Sequence, residues 1–573
     1  MQHNTVGKII VETLEQAGVK NCYGIVGDTL NHITDAIRHS QIKWVHVRHE
    51  EVAAMAAGAE SYMTGGLTAC AGSCGPGSLH TINGLLEAHR NRSPVVMIAT
   101  QVALTELGME FPQEVDLASI FKTCSHFCAT IYHPSQARRL TAQAAQAAIN
   151  LRGVAVLIVP GDLAGKCVAP GLPFSAHHPQ PVYSPSEAEL DEMAHLLLSS
   201  ERLALYCGSG CADAHAEIVE LARRLKAPVA HTSRAKDFIE PDNPFNVGMT
   251  GMLGIESGYH ATQECDTLLL LGADFAWTSF YPHRATILQV DNQATHLGRR
   301  HPVKLGVVGD IRTTLQKLLP RLPERQDDNF LQECLKLHQK SLHWLAEQEK
   351  PGHNGLIHPQ YLVKLIDQMA ADDAFLVGDS GTAMVWLLRH TTANGKRRTL
   401  ASLIHGTMAN AMPEALGIKN AFPHRQVIAI CGDGGLSMLM GDLLTIVQEG
   451  LDIKIVILNN SALDFVEIEQ KTEGLMNAFT DLHNPDWVKM AEAIGFKGLR
   501  VEHADQLPEA VAQWLAESGP MLLDVKVNQY ELVMPPTVTT GEVLHTALYS
   551  AKAILSGHGG EVVELIESNF LRR

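Results

Sequence analysis

Apolar residues along the chain fall into two alternating patterns. Short β-branched runs, such as QVIAI at 426–430 and IKIVIL at 453–458, read as buried strands. Between them, LSMLMGDLLTIVQEG places Leu436, Leu439, Met440, Leu443, Leu444 and Val447 at helical spacing. That pattern predicts one helix, stopped at Gly450. A strand–helix–strand unit makes its two strands parallel neighbours, opening on the same edge of the sheet, where ligands of such sheets sit. The alternation recurs upstream, where KWVHV leads into HEEVAAMAAGAE and LALYC leads through a glycine turn into AHAEIVELARRL. The predicted class is therefore α/β, with three doubly wound parallel-sheet domains.

Two stretches without period divide the blocks: APGLPFSAHHPQPVYSPSEAE at 169–189 and EQEKPGHNGLIHPQ at 347–360. The expected domains run over 1–180, 184–340 and 355–530, followed by a tail over 531–573. In the tail, Val562, Val563, Ile566 and Phe570 share one helical face.

Composition narrows the function. The 573 residues carry a formal net charge of −17, and no basic stripe interleaved with aromatics stands out, which argues against nucleic-acid binding. No apolar run reaches the roughly 18 residues of a membrane span. The first residues read as a short amphipathic helix rather than a signal peptide. The 11 cysteines are odd in number and lack CxxC spacing, as expected of reduced thiols in a cytosolic protein.

The chemistry starts at the strand ends. Asp433 follows the first strand of the 426–458 unit within CGDGG, and Asn459-Asn460 follow the second. Alone, each is ordinary turn chemistry. Joined by one strand–helix–strand unit, Asp433 and Asn460 face each other as one carboxylate and one amide oxygen, which with main-chain carbonyls suit Mg²⁺. Gly434 and Gly435 let backbone N–H groups approach a phosphate. Glu50 stands where a strand gives way to an alanine-rich helix; it is either a helix-start carboxylate, like Glu51, or a buried acid for catalysis. Gly75 and Gly77 open a helix as either a plain turn or a set of donors facing a ligand. His89 reads as a proton relay or as a satisfied, partly buried histidine. In the middle block, Asp291 ends a strand closely enough to hold a ribose.

The GDG-to-NN unit, the RHE-plus-alanine-helix motif, and the stretches CGSGCA, NPFNVGMTGMLG, SFYP, NGKRR and HGTMANAMPEALG together resemble the FAD-containing pyruvate oxidases of the acetolactate synthase/pyruvate oxidase family. The resemblance covers essentially the whole chain. It implies a pyrimidine-binding first domain, a central FAD domain, a third domain for thiamin diphosphate and Mg²⁺, and a tail that binds membrane lipid reversibly. The implied reaction is oxidative decarboxylation of pyruvate to acetate and CO₂, with electrons passing through FAD to ubiquinone. The implied protein is a homo-oligomer, at least a dimer and usually a tetramer, lying in the cytoplasm against the inner face of the cell membrane. The same resemblance makes Glu50 the catalytic acid, Phe465 a carrier between the cofactors and Gln113 a substrate-pocket residue. It assigns thiamin diphosphate to Gly406, Thr407, Met408, Leu463 and Phe465 beside Asp433, Gly434, Gly435 and Asn460, with the Ala462 carbonyl on the metal. FAD falls along Gly251, Met252, Leu253 and Gly254, along Asp274, Phe275, Ala276, Trp277 and Thr278, and at Asp291 and Asn292. Three positions depart from the family pattern: Pro112 before Gln113, Ser380 for a usual valine, and Asp464 for a usual glycine. They bear on pyruvate preference and electron transfer. The rival functions are an acetolactate-synthase-like carboligase and a catalytically silent flavoprotein subunit; keeping Glu50, Asp433, Asn460 and Met408 together argues against the second.

Overall fold

The computed structural model describes residues 4–352, 355–531, 533 and 569. The first six strands are β1 (Asn21–Gly24), β2 (Lys43–His46), β3 (Thr68–Gly72), β4 (Val95–Gln101), β5 (Phe127–Thr130) and β6 (Val154–Pro160), in the order β2-β1-β3-β4-β6-β5. The second sheet holds β7 (Leu203–Cys207), β8 (Val229–His231), β9 (Asn246–Met249), β10 (Thr267–Leu271), β11 (Thr286–Asp291) and β12 (Leu305–Val308), in the order β12-β11-β10-β7-β8-β9. The third holds β13 (Phe375–Gly378), β14 (Arg398–Ala401), β15 (Val427–Gly432), β16 (Ile453–Asn459), β17 (Lys497–Val501) and β18 (Met521–Lys526), in the order β14-β13-β15-β16-β18-β17. Every neighbouring pair is parallel. Each sheet reverses its strand order at an internal switch point, which opens a crevice at the carboxyl ends of the strands.

β15 and β16 pair directly, with Gly432 opposite Leu458, so the predicted strand–helix–strand unit is present. The single predicted helix is not. Helices Asp433–Leu439 and Leu443–Gln448 are separated by a tight turn at Met440–Asp442. Asp442 turns inward there, and its Oδ1 accepts the Arg48 N–H (2.7 Å) and the Thr445 hydroxyl (2.7 Å). Satisfying a donor from the first domain outweighs helix continuity, and Met440 and Leu444 are left exposed. The expected boundary at 340 falls inside helix Asn329–Gln348, which packs back on helix Glu256–Gln263 of the middle domain.

First and third domains share one core. Val52, Leu85 and Met97 pack in the same buried cluster as Met412, Leu416 and Ile457. The alanine-rich character of helix Glu50–Thr64 follows from its place between helices Ile82–Arg90 and Ala411–Ala421. A Cβ on Gly417 would stand 2.0 Å from the Ala56 carbonyl oxygen, so only glycine permits this approach. All 11 cysteines are free, and all but Cys128 and Cys167 are buried. Among the described residues no helix is long and apolar enough to cross a membrane. The expected tail helix lies outside the described residues except at Asn569, whose side-chain amide donates to the Tyr530 carbonyl (2.6 Å).

Candidate active site

Asp433 begins its helix at the carboxyl end of β15, and only 2 % of its surface is exposed. Its Oδ1 accepts the Gly434 N–H (2.9 Å); its Oδ2 accepts the Ser461 N–H and the Asn484 side-chain amide, both at 2.7 Å. Burial pushes the carboxyl up from its ordinary range despite these donors. Ser461 holds φ +59° and Ala409, next to Met408, holds +66°. Non-glycine residues in this region are strained, and such strain concentrates at functional sites. Asn460 Oδ1 accepts the Ala462 N–H (3.1 Å), which folds the turn back over Asp433.

The glycines here are a cradle. A Cβ on Gly434 would meet the Leu463 side chain at 2.8 Å and the Met408 methyl at 3.6 Å, while Gly432 and Gly406 face open space. A Cβ on Gly435 would collide with Asp379 Oδ2 at 1.8 Å. Asp379 follows the last residue of β13 and is buried; its Oδ1 accepts the Asn410 N–H (3.0 Å) and its Oδ2 has no partner. Desolvation raises this carboxyl to about 7.

Gly406, Met408, Asp433, Gly434, Asn460 and Leu463 line a cavity of about 1640 Å³ that continues into the middle domain. There its wall includes Gly251 (φ +99°), Met252, Leu253, Asp274, Phe275, Ala276, Trp277, Asp291 and Asn292. Asp274 accepts from Arg299 Nε (2.8 Å) and Arg300 Nε (3.1 Å), and Arg92 also reaches the cavity. Asp291 accepts from the Gln293 N–H (2.8 Å) and pairs with His296 Nδ1 (3.0 Å). Three expected contacts lie off this wall. The Gly254 carbonyl, with those of Met252 and Leu253, instead takes the guanidinium of Arg389 from the third domain (3.1, 3.4 and 3.1 Å). Thr278 starts a short turn of helix, and the Thr407 hydroxyl accepts the Asn83 amide (2.8 Å). His89 lines the cavity, but burial pushes it down to about 4, so it is neutral there, packed on His126 at 4.4 Å.

Glu50 and Gln113 form a second locus, outside the walls of that cavity. Glu50 is 7 % exposed, and its Oε2 pairs with His80 Nδ1 (2.9 Å). A Cβ on Gly77 would come within 3.2 Å of Glu50 Oε1, and one on Gly75 within 2.8 Å of Gln113. Gln113 holds φ +69°, and its Oε1 accepts the Cys74 thiol (3.1 Å). Glu51 instead holds the Asn83 amide (2.6 Å).

Spacing did not point to Asn484, Arg389 or His80. Asp379 was within reach, since GDS follows the apolar run AFLV as GDG follows VIAIC. The donor set fits Mg²⁺ with a diphosphate. Among the described residues no group of three or more His, Cys, Asp or Glu is placed to hold a metal. A cation here is left with the buried Asp433 carboxylate, the Asn460 amide and the Ala462 carbonyl, all on the cavity wall beside the glycine cradle.

Three family descriptions match the chain in series: the thiamine pyrophosphate enzyme N-terminal TPP-binding domain over 4–120, the central domain over 190–318, and the C-terminal TPP-binding domain over 379–525. A Bacillus subtilis (strain 168) protein described as thiamine pyrophosphate-containing, YdaP, is 34% identical over 99% of both chains. The chain therefore belongs to the thiamine pyrophosphate enzymes. It is also 29% identical to the pyruvate oxidase of Lactiplantibacillus plantarum, over 91% of this chain and 88% of that one. The acetolactate synthase isozyme 2 large subunit of Escherichia coli K12 is 29% identical over 93% and 98%.

Proposed function

We propose that the protein decarboxylates pyruvate oxidatively, converting pyruvate and water to acetate and CO₂ while two electrons pass to FAD and on to ubiquinone. The observation that carries this reading is the continuity of one cavity from Asp433 and Met408, past Phe465, to Asp274 and Asn292. A thiazolium and an isoalloxazine could occupy a single enclosure. When bound, thiamin diphosphate supplies the electron sink for breaking the bond to the carboxylate, and FAD supplies the two-electron acceptor. Asp433, Asn460 and the Ala462 carbonyl would hold Mg²⁺; Gly434 and Gly435, having no side chains, would let the diphosphate come close to the backbone at the start of the helix. Met408 and Leu463, in reach of Gly434, wedge the cofactor, and Arg92, Arg299 and Arg300 offset the dinucleotide's phosphates.

Glu50 acts from a second copy. Its locus is apart from the Asp433 cavity, so a complete site takes Glu50, Gly75 and Gln113 from one protomer and Asp433 from another. The tail, whose sequence spaces Val562, Val563, Ile566 and Phe570 as one helical face would, attaches the enzyme to lipid at the inner membrane surface. Deleting residues beyond about 550 should abolish liposome binding and leave dye reduction intact.

The test is anaerobic addition of pyruvate to protein loaded with both cofactors. Bleaching of the flavin with one acetate per two electrons supports the reading. An unbleached flavin with a branched hydroxy-keto acid as product would instead establish a carboligase, the activity named for the Escherichia coli relative.

A further inference from the structure

Residues 250–254 form a compact turn on the middle-domain side of the cavity. The Gly254 N–H donates to the Gly251 carbonyl (2.9 Å), and the Ile255 N–H to that of Met249 (3.1 Å). Gly251 holds φ +99°, and a Cβ there would meet the Phe275 ring at 2.8 Å. Thr250, Gly251, Met252 and Leu253 line the cavity. The group that holds this turn belongs to the third domain. Arg389 donates from Nε to the Leu253 carbonyl (3.1 Å), and from Nη2 to those of Met252 (3.4 Å) and Gly254 (3.1 Å). Arg389 is buried, and it lies off the cavity wall. Three successive carbonyls on one planar fork fix the orientation of the turn as well as its place.

The helix that carries Arg389 also reaches the cavity. Thr382–His390 begins on the wall with Thr382, Ala383 and Met384, and Arg389 stands about 9 Å further along its axis. Just before this helix, the Ser380 N–H donates to Asn410 Oδ1 (3.0 Å), next but one to Met408. Leu253, Met384 and Phe465 pack on one apolar cluster of the third domain, and all three line the cavity. The middle-domain turn is thus fastened to an element that also frames the Asp433 half. We propose that Arg389 is a positioning residue for electron transfer: by clamping residues 252–254 it sets the separation between a flavin in the middle domain and a thiazolium held at Asp433, touching neither. The proposal rests on the oxidase reading, with FAD along Gly251 to Leu253.

The experiment compares R389K and R389M with the parent as full-length protein. Flavin fluorescence titration gives FAD affinity, titration at fixed Mg²⁺ gives thiamin diphosphate affinity, and anaerobic stopped flow gives the flavin reduction rate at saturating cofactors and pyruvate. Lysine keeps the charge but cannot span three carbonyls, so R389K alone decides if R389M fails to fold. R389K should weaken FAD binding about tenfold and slow reduction by about 10- to 100-fold, the scale of a misplacement near 1 Å. Thiamin diphosphate affinity should stay within about twofold. An unchanged reduction rate at saturating FAD overturns the proposal, and so does an equal weakening of both cofactors, which would make Arg389 ordinary domain packing. If the parent takes up no FAD, the dinucleotide reading fails by itself. Hydrogen exchange at the Gly254 and Ile255 amides then decides the clamp: faster exchange in R389K sustains it, and parent-like protection overturns it.

Discussion

The Ser461 N–H donates to Asp433 Oδ2 at 2.7 Å, and this bond locks the ends of β15 and β16 together. One carboxylate oxygen is thereby spent on the scaffold, and its remaining lone pairs are aimed. Asn484 completes the arrangement: its amide reaches both Asp433 Oδ2 (2.7 Å) and Asn459 Oδ1 (3.1 Å).

Asn484 lies off the cavity wall, yet it fixes the carboxylate proposed to hold the metal. N484A should weaken Mg²⁺-dependent thiamin diphosphate uptake by about 10- to 100-fold, the usual cost of removing a partner that orients a ligand. The far-ultraviolet circular dichroism should stay that of the parent. Fluorescence titration with the cofactor at fixed Mg²⁺ measures this, and an unchanged affinity would remove Asn484 from the site.

How much of this was legible follows from where the information lies. Asp433 and Asn460 were placed by strand ends, because a buried β-branched run fixes its own direction and the connecting helix fixes the parallel pairing. Asn484 lies 51 residues from its acceptor on Asp433, in a loop with no periodic signal. The break at Met440–Asp442 was hidden for the same reason, since Asp442 caps a donor 394 residues away and apolar spacing cannot register that. In the middle domain the strand-end acids were found. That Gly254 faces Arg389 instead of the cavity depends on how two domains pack.

Glu50 sits in the first-domain locus with its Oε2 on His80. A glutamine there keeps the shape and an acceptor oxygen but loses the acid. E50Q should bind thiamin diphosphate with similar affinity while pyruvate-driven flavin reduction slows by about 10² to 10⁴, the range for removing a positioned acid–base group. Stopped-flow reduction under anaerobic conditions gives the rate. A loss smaller than about threefold would dismiss Glu50 as the catalytic acid.

Gly417 brings helix Ala411–Ala421 against helix Glu50–Thr64, and an added methyl would meet the Ala56 carbonyl carbon at 2.7 Å as well as its oxygen. Backbone cannot yield as a flexible side chain can. G417A should therefore cost about 2–3 kcal/mol at this joint between the first and third domains. G441A is the control, because a Cβ there meets nothing within 4 Å, and it should stay within about 0.5 kcal/mol. Chemical denaturation of the two variants side by side reads the difference.

Asp379 makes a pH prediction with a definite sign. Burial raises its carboxyl from an ordinary 3.8 to about 7, so the folded protein holds this proton more tightly than the unfolded chain does. A raised carboxyl contributes stability that is fully present below the unfolded value and is lost as pH climbs through the folded one. Between about pH 4 and about pH 7 this group therefore lowers stability as pH rises. Glu87 and Glu414, also raised mainly by burial, act in the same direction, so removing Asp379 takes away only part of the slope. Asparagine keeps an acceptor for the Asn410 N–H and cannot ionise. D379N should flatten the decline in unfolding midpoint between about pH 4 and about pH 7, and gain on the parent most at the alkaline end. Thermal scans of both proteins across that interval provide the check, and parallel curves would mean that Asp379 does not change its charge there.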